Sequence, residues 1–255
     1  MPKPGLFWVM WGVCNSSPRP PVKHCSLLIA NFISGGGSTF GAITSATAKA
    51  FPAAPFTVVI FLAGTNSTSD AYWSTVDYIL SRCPSLSSQG VAGFPFILPD
   101  YTNPELNIPA PVSAFAGNFF MLLLSESNTS ETLAPAVTEA FNNATAPYPG
   151  QFQSLVIPTT YPDFYSWFKD NNGPLDCGFD GLVGSTLLDE KALPTDLNAL
   201  KEAIKTFTPP NSSSAPYLVS GKGAWDAVPR GGGDSLNPAW RKAVKHFSKS
   251  SDFEF

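Results

Sequence analysis

From Phe56 onward, apolar positions fall into short strand-like runs separated by stretches with helical spacing. Phe56 to Leu62 (FTVVIFL) is short, β-branched and bounded by Pro55 and Gly64, as a buried strand would be. Ser69 to Arg82 predicts an amphipathic helix. Ser69 is placed to cap it, Tyr72, Trp73, Val76, Ile79 and Leu80 share a face, and Pro84 stands just past the end. Ala114 to Leu124 predicts a strand, and about Glu131 to Phe141 a helix with Leu133, Val137 and Phe141 in register. Ser154 to Ile157 and Gly181 to Leu188 read as strands. Thr195 to Phe207 carries Leu197, Leu200, Ile204 and Phe207 on one helical face and stops before Pro209-Pro210. Tyr217 to Ser220 is the last predicted strand. Helices interspersed among strands imply an α+β fold in which helices pack on one sheet. The pattern alone leaves parallel and antiparallel pairing open.

The first part of the chain carries a weaker pattern. Residues 11–34 are interrupted by Pro18, Pro20 and Pro21, and Leu27 to Ile33 has no clear period. Gly35-Gly36-Gly37 opens a turn, followed by the strand-like Phe40 to Ala48, and Pro52 and Pro55 mark a domain edge. The apolar run Leu6 to Cys14 after Lys3 imitates a short signal peptide, but reads here as a buried segment. No stretch approaches the ~20 apolar residues of a membrane-spanning helix, so no membrane partner is expected.

Composition narrows the classes. The chain has 255 residues, enough for one large domain or two small ones, and is 44% hydrophobic but only 13% charged. Its surface must therefore be built largely from Ser, Thr, Asn, Pro and Gly, which suits a secreted protein. A net charge of −4 gives no footprint for nucleic acid. The nearest basic cluster, Arg241, Lys242, Lys245, His246 and Lys249, is expected to be the solvated face of a short helix. Five N-x-S/T sequons, at Asn15, Asn66, Asn128, Asn143 and Asn211, point to a glycosylated, exported protein. Cys14, Cys25, Cys83 and Cys177 have neither C-x-x-C spacing nor a His-rich partner segment, so no metal site is expected. In an oxidising compartment Cys83 and Cys177 could pair.

Most catalytic patterns are missing. A Ser/His/Asp hydrolase needs a His near its nucleophile, yet the histidines are His24 and His246, and G-x-S-x-G does not occur. Asp189 and Glu190 are adjacent, so on a regular strand they face opposite sides and cannot form a glycosidase pair. They fit a strand end, where one could cap a turn. Tyr161, Tyr165 and Trp167 form an aromatic cluster that reads as core or as the lining of a substrate pocket. Asp226 and Arg230 receive no role. The triglycine at Gly35 lets backbone approach a bulky ligand and offers N–H groups to an anion such as a pyrophosphate. It is neither a Rossmann fingerprint, since Phe40 stands where the last Gly is needed, nor a P-loop. A Gly-rich turn is also common structural punctuation. A second triglycine, Gly231 to Gly233, reads as a loop.

The segment GGGSTFGAITSATAKAFP, Gly35 to Pro52, resembles the end of the FAD-binding domain in fungal berberine-bridge-enzyme-like oxidoreductases of the vanillyl-alcohol-oxidase superfamily, with its PCMH-type FAD-binding domain. The likeness continues through YPDFYSWF (Tyr161 to Phe168), DNNGP (Asp170 to Pro174), GSTLLDEKAL (Gly184 to Leu193), GKGAWDAVPRGGG (Gly221 to Gly233) and NPAWRKA (Asn237 to Ala243). It covers most of residues 35–243 in order.

This resemblance implies a C-terminal fragment. Residues 1–53 would be the edge of the FAD-binding domain, with a foreign insert at 11–34 read as translated intron. Residues 54–235 would be the substrate-binding domain, an antiparallel sheet backed by helices that roofs the isoalloxazine ring. Residues 236–255 would begin a truncated tail that in many members supplies a catalytic Tyr base. The implied cofactor is FAD, with Gly35, Gly36, Gly37, Ser38, Phe40, Gly41 and Ile43 on the flavin side and a small-molecule substrate opposite. Phe40 and Ile43 fit ordinary strand packing as well. The implied activity is oxidation of an alcohol, sugar or secondary metabolite by hydride transfer to flavin, in a secreted enzyme. The alternative is a flavin-free, inactive glycoprotein remnant of the substrate-binding domain.

Overall fold

A computed structural model describes residues 53–66, 68–103, 108–122, 130–171, 181–193, 196–218, 222–226 and 236–252. The residues expected to face flavin, Gly35, Gly36, Gly37, Ser38, Phe40, Gly41 and Ile43, lie outside these, as does Cys177. The chain divides into two units, one formed by Ala53–Trp225 with Arg241–Phe255 and the other by Met1–Pro52 with Asp226–Trp240. In the latter, Asn237 Oδ1 accepts from the Ala239 N–H at 3.0 Å.

The larger unit is α+β. Its described elements are β1 (Phe56–Thr65), α1 (Asp70–Ser88), β2 (Ala92–Asn103), β3 (Ile108–Leu122), α2 (Ser130–Thr145), β4 (Gln153–Tyr161), α3 (Phe164–Asn171), β5 (Gly181–Asp189), α4 (Leu197–Phe207), β6 (Ala215–Tyr217), α5 (Lys222–Trp225) and β7 (Ala243–Asp252). Every paired strand is antiparallel. Four strands run in the order β2-β3-β1-β4 and three in the order β5-β7-β6. Bridges Gly93↔Leu218 and Ile97↔Ser214 join the two groups, so the spatial order is β4-β1-β3-β2-β6-β7-β5.

That junction has an unusual centre. Gly93 and Leu218 exchange N–H···O bonds of 2.9 Å each, and Ile97 and Ser214 exchange bonds of 2.9 and 3.1 Å. The same register sets Pro95 opposite Pro216. Neither has an N–H, so the pairing leaves no donor orphaned, though it leaves carbonyls to satisfy. Lys245, on β7 and fully buried, sends its ammonium to the Pro216 carbonyl at 2.9 Å and lies 5.9 Å from the centre of the Phe119 ring. Burial pushes this ammonium below the usual lysine range, partly offset by Cys83 beside it. Lys245 is therefore not on a solvated helix. The basic cluster expected to lie on a short helix belongs, from Ala243 onward, to β7, a strand interior to its sheet.

One face of the sheet forms the core. Val59, Phe61 and Ala63 of β1 and Phe115, Phe119 and Met121 of β3 meet Tyr72, Val76, Ile79 and Leu80 of α1, Leu133, Val137 and Phe141 of α2, and Leu200 and Ile204 of α4. Phe61 stacks among Phe115, Phe119 and Phe141 with ring centres 4.5–5.5 Å apart. Helix α1 starts where expected, Ser69 Oγ accepting from the Tyr72 N–H at 3.3 Å. It continues through Pro84 to Ser88, because Leu86 and Ser87 beyond the proline are buried. Helix α4 is capped by Asp196, whose Oδ1 accepts from the Ala199 N–H at 3.0 Å.

The sequence pattern does not predict strand β2, because Pro95 and Pro99 demote such a run. Gly117 of β3 lets it in. Its φ is +152°, and a Cβ there would overlap the Phe94 carbonyl and the Pro95 Cα.

Candidate functional site

The pleat that sends odd-numbered residues of β1 and β3 into the core sends their neighbours to the opposite face. Register sets Ile60 beside Asn118 and Ile157, Leu62 beside Leu155, Phe94 beside Asn118, Phe96 beside Ala116, and Tyr217 beside His246. Ile60, Phe94, Phe96, Leu155 and Ile157 are each 39–46% exposed, though all are large and apolar. Phe94 meets Phe120 at 5.4 Å and the Tyr217 ring edge-on at 5.4 Å, and Tyr217 in turn lies 6.1 Å from the His246 ring. A contiguous apolar surface of this kind is a mark of ligand or partner contact.

Only α3 reaches this face among the described residues. Its N-terminus is set by Asp163, whose Oδ1 accepts from the Ser166 N–H at 2.7 Å; these backbone contacts hold the carboxyl below its usual range. Phe164 and Trp167 then lie on Phe56 at 5.2 and 5.4 Å, and Trp167 on Phe120 at 6.1 Å. So the aromatic cluster of the sequence divides. Trp167 walls one end of the open face, while Tyr165 is 71% exposed and packs into no core.

The face is electrically quiet. Over β1–β4 and β6, its described side chains by strand register include Asn118, Thr159 and Tyr217 as polar groups and no Asp, Glu, Lys or Arg; beyond them lie His246 of β7, Ser185 of β5 and, at the end of β5, Asp189. The Phe94, Phe120 and Tyr217 rings lie around Asn118 by register. No described group on it suits a pyrophosphate.

Two other concavities carry charged side chains. One of about 250 Å³ lies between α1 and α2, lined by Tyr78, Arg82 and Glu139 among others. There Arg82 donates to the Tyr78 hydroxyl at 2.8 Å and stacks 4.8 Å from its ring centre. The other, about 340 Å³, gathers Asp189, Glu190, Lys191, Trp225, Arg241 and Lys242. Its polar atoms hold the scaffold. Asp189 caps the turn after β5, accepting from the Lys191 and Ala192 N–H groups at 3.1 Å each, as its place at a strand end suggested. Trp225 Nε1 donates to the Ala243 carbonyl at 2.8 Å and Arg241 to the Ala224 carbonyl at 2.9 Å. Parts of three segments that carry the resemblance, Asp189 to Lys191, Ala224-Trp225 and Arg241-Lys242, thus meet as one brace. Among the described residues no group of His, Cys, Asp and Glu is arranged to hold a metal ion, and Cys83 is a free, buried thiol.

Comparison with known proteins places this architecture. An uncharacterized FAD-linked oxidoreductase of Arthroderma benhamiae is 27% identical over 226 residues, covering 86% of this chain and 37% of its own length. The FAD-linked oxidoreductase patO of Aspergillus clavatus is 27% identical over 228 residues, covering 86% and 35%. The chain is similar to fungal FAD-linked oxidoreductases over most of its length. It spans about a third of the length of these relatives. The fold agrees. The VAO-type flavoprotein MtVAO713 of Myceliophthora thermophila superposes with a TM-score of 0.66 at 22% identity, over 80% of this chain and 35% of that one. BBE-like 1 of Physcomitrella patens gives 0.54 at 15% identity, over 87% and 44%. No family model matches the chain.

The structure brings together Trp167, Phe120, Phe94, Asn118, Tyr217 and His246. Of these, sequence reasoning had singled out only Trp167 for a pocket. The alternation Phe94, Phe96, Leu98 was the available signal for β2, hidden by the prolines between.

Proposed function

We propose that the open face of the sheet, covered only at one end by α3 among the described residues, is the substrate side of an FAD-dependent oxidoreductase, and that its substrate is a small alcohol with a largely apolar, uncharged body. The observation that carries this is an apolar, partly exposed sheet face, with Phe94, Phe96, Ile60 and Ile157 at the surface and no charged side chain on its β1–β4 part by register. A sugar would require several polar partners to replace its hydration, whereas Asn118, Tyr217 and His246 are few and grouped. FAD, when bound, supplies a two-electron acceptor for a hydride. The chain's own residues would orient and desolvate: Phe94 and Phe120 present ring faces, Trp167 closes one end, and the Asn118 amide hydrogen-bonds the substrate's polar end. Gly35, Gly36, Gly37, Ser38, Phe40, Gly41 and Ile43 are proposed to approach the flavin and its pyrophosphate.

The visible spectrum of the purified chain, before and after incubation with FAD, tests the reading. Flavin absorbance that stays with the protein through gel filtration is the expected result. A folded, colourless protein that retains no FAD would replace it with a flavin-free substrate-domain glycoprotein.

A further inference from the structure

Two of the sequons converge on one place in the fold. Asn66 and Asn211 are both exposed. Asn66 lies in the bend after β1. Two residues on, Thr68 donates its N–H to Asp100 Oδ1 at 3.0 Å, and its hydroxyl lies 2.6 Å from Ser113 Oγ. Asn211 sits in the turn after α4 with φ 56°, a left-handed conformation that Asn tolerates well. Its N–H donates to the Pro99 carbonyl at 2.8 Å, and its side chain receives the Thr102 N–H at 3.3 Å and hydroxyl at 3.0 Å. Both sequons are thereby tied to the bend at 99–102 of β2, where Asp100 itself has φ 45°.

A backbone N–H can only donate, so the Asn211 atom facing Thr102 is the carbonyl oxygen. That leaves Nδ2, the nitrogen a glycan would take, directed away from the contact. Asn143 is placed differently. It lies within the last turn of helix α2, beside the cavity lined by Arg82 and Glu139, rather than in a bend or turn between elements.

We propose that Asn66 and Asn211 carry N-linked glycans that together form a carbohydrate rim at the 99–102 bend. In each transfer an Nδ2–H bond is replaced by an Nδ2–C1 bond to an oligosaccharide from a polyprenyl-pyrophosphate donor. The polyprenyl pyrophosphate leaves and a proton is released. The amide oxygen of Asn211 is untouched, so its bonds to Thr102 persist in the modified protein. The rim hydrates the surface of a chain in which only 13% of residues are charged. It is attached at the end of the sheet, off the Ile60–Phe94–Asn118 face.

The full chain, secreted from a yeast host behind an added leader, is to be deglycosylated enzymatically in heavy-oxygen water and mapped by peptide mass. The membrane-enclosed intracellular fraction is mapped alongside, so poor secretion does not obscure the result. Heavy-oxygen label at positions 66 and 211 is expected. Asn66→Gln and Ser213→Ala should each remove one glycan mass, and the pair both. Ser213→Ala leaves Asn211 and its turn intact, so its readout does not depend on refolding that loop. Unmodified asparagine at either position, or an unchanged glycan mass in either variant, would overturn the proposal.

Discussion

The two faces of the sheet are built from the same strands and nearly the same residue types, yet they meet opposite fates. On β1, Val59, Phe61 and Ala63 are at most 1% exposed beneath α1 and α2, while Ile60, between Val59 and Phe61, is 43% exposed. Hydrophobicity therefore does not say which face is core; coverage does. Burying a large side chain contributes about 1.5–3 kcal/mol relative to leaving it in water, so Ile60, Phe94, Phe96 and Ile157 forgo much of that gain. A chain that leaves such a row uncovered is spending it on something other than its own stability.

The sharpest way to break this comparison is a pair of truncations one residue apart. Phe61→Ala removes a ring from the cluster with Phe115, Phe119 and Phe141 and should destabilise by about 3–5 kcal/mol in denaturant unfolding. Ile60→Ala should cost under about 1 kcal/mol, since much of its side chain already meets water. Equal losses at the two positions would mean that the open face is covered in the folded protein.

The helical layer holds a smaller, pH-dependent weakness. Asp77 of α1 is buried, and its Oδ1 meets no hydrogen-bond donor among the described residues. Desolvation pushes its carboxyl up to about 7, Lys201 opposing and Asp196 adding to the shift. The folded state thus keeps a proton that the unfolded chain loses near its ordinary pKa of 3.8. Between these values the folded state binds more protons, so stability falls as pH rises, by up to about 1.4 kcal/mol per pH unit. Asp77→Asn should flatten that slope and be the more stable form above neutral pH. Unchanged pH dependence in the variant would assign the slope to other groups.

How much of this was legible depended on whether a local rule and the tertiary context agreed. Strand β1, the start of α1, and the apolar faces of α2 and α4 followed from period and capping alone. Strand β2 was hidden because Pro95 and Pro99 argue against a strand, and what permits it is non-local: Gly117 across one edge and Pro216 across the other. The basic run was misread for a geometric reason. Arg241, Lys245 and Lys249 recur every four residues, which marks one face of a helix but is equally a multiple of the strand period of two. The open face was the least legible feature. Alternation shows that a strand has two faces, but a sequence does not show which face the helices will choose.

The smallest stability effect belongs to the open face itself. Phe94 is 41% exposed and touches Phe120 and Tyr217 rather than any helix. Phe94→Ser should therefore change unfolding free energy by no more than about 1 kcal/mol, as a surface substitution outside the core does. It should have a larger effect on the binding of a hydrophobic fluorescent dye. The wild-type chain should enhance the dye's emission through the Phe94–Phe120–Ile60 surface, and Phe94→Ser should reduce that enhancement with the unfolding free energy held within that margin. The paired readout matters because a destabilised core would raise dye binding, the opposite sign. A drop in dye emission with stability held constant locates exposed apolar surface on this face. A rise, or a large fall in stability, would place Phe94 in the core and remove the distinction between the two faces.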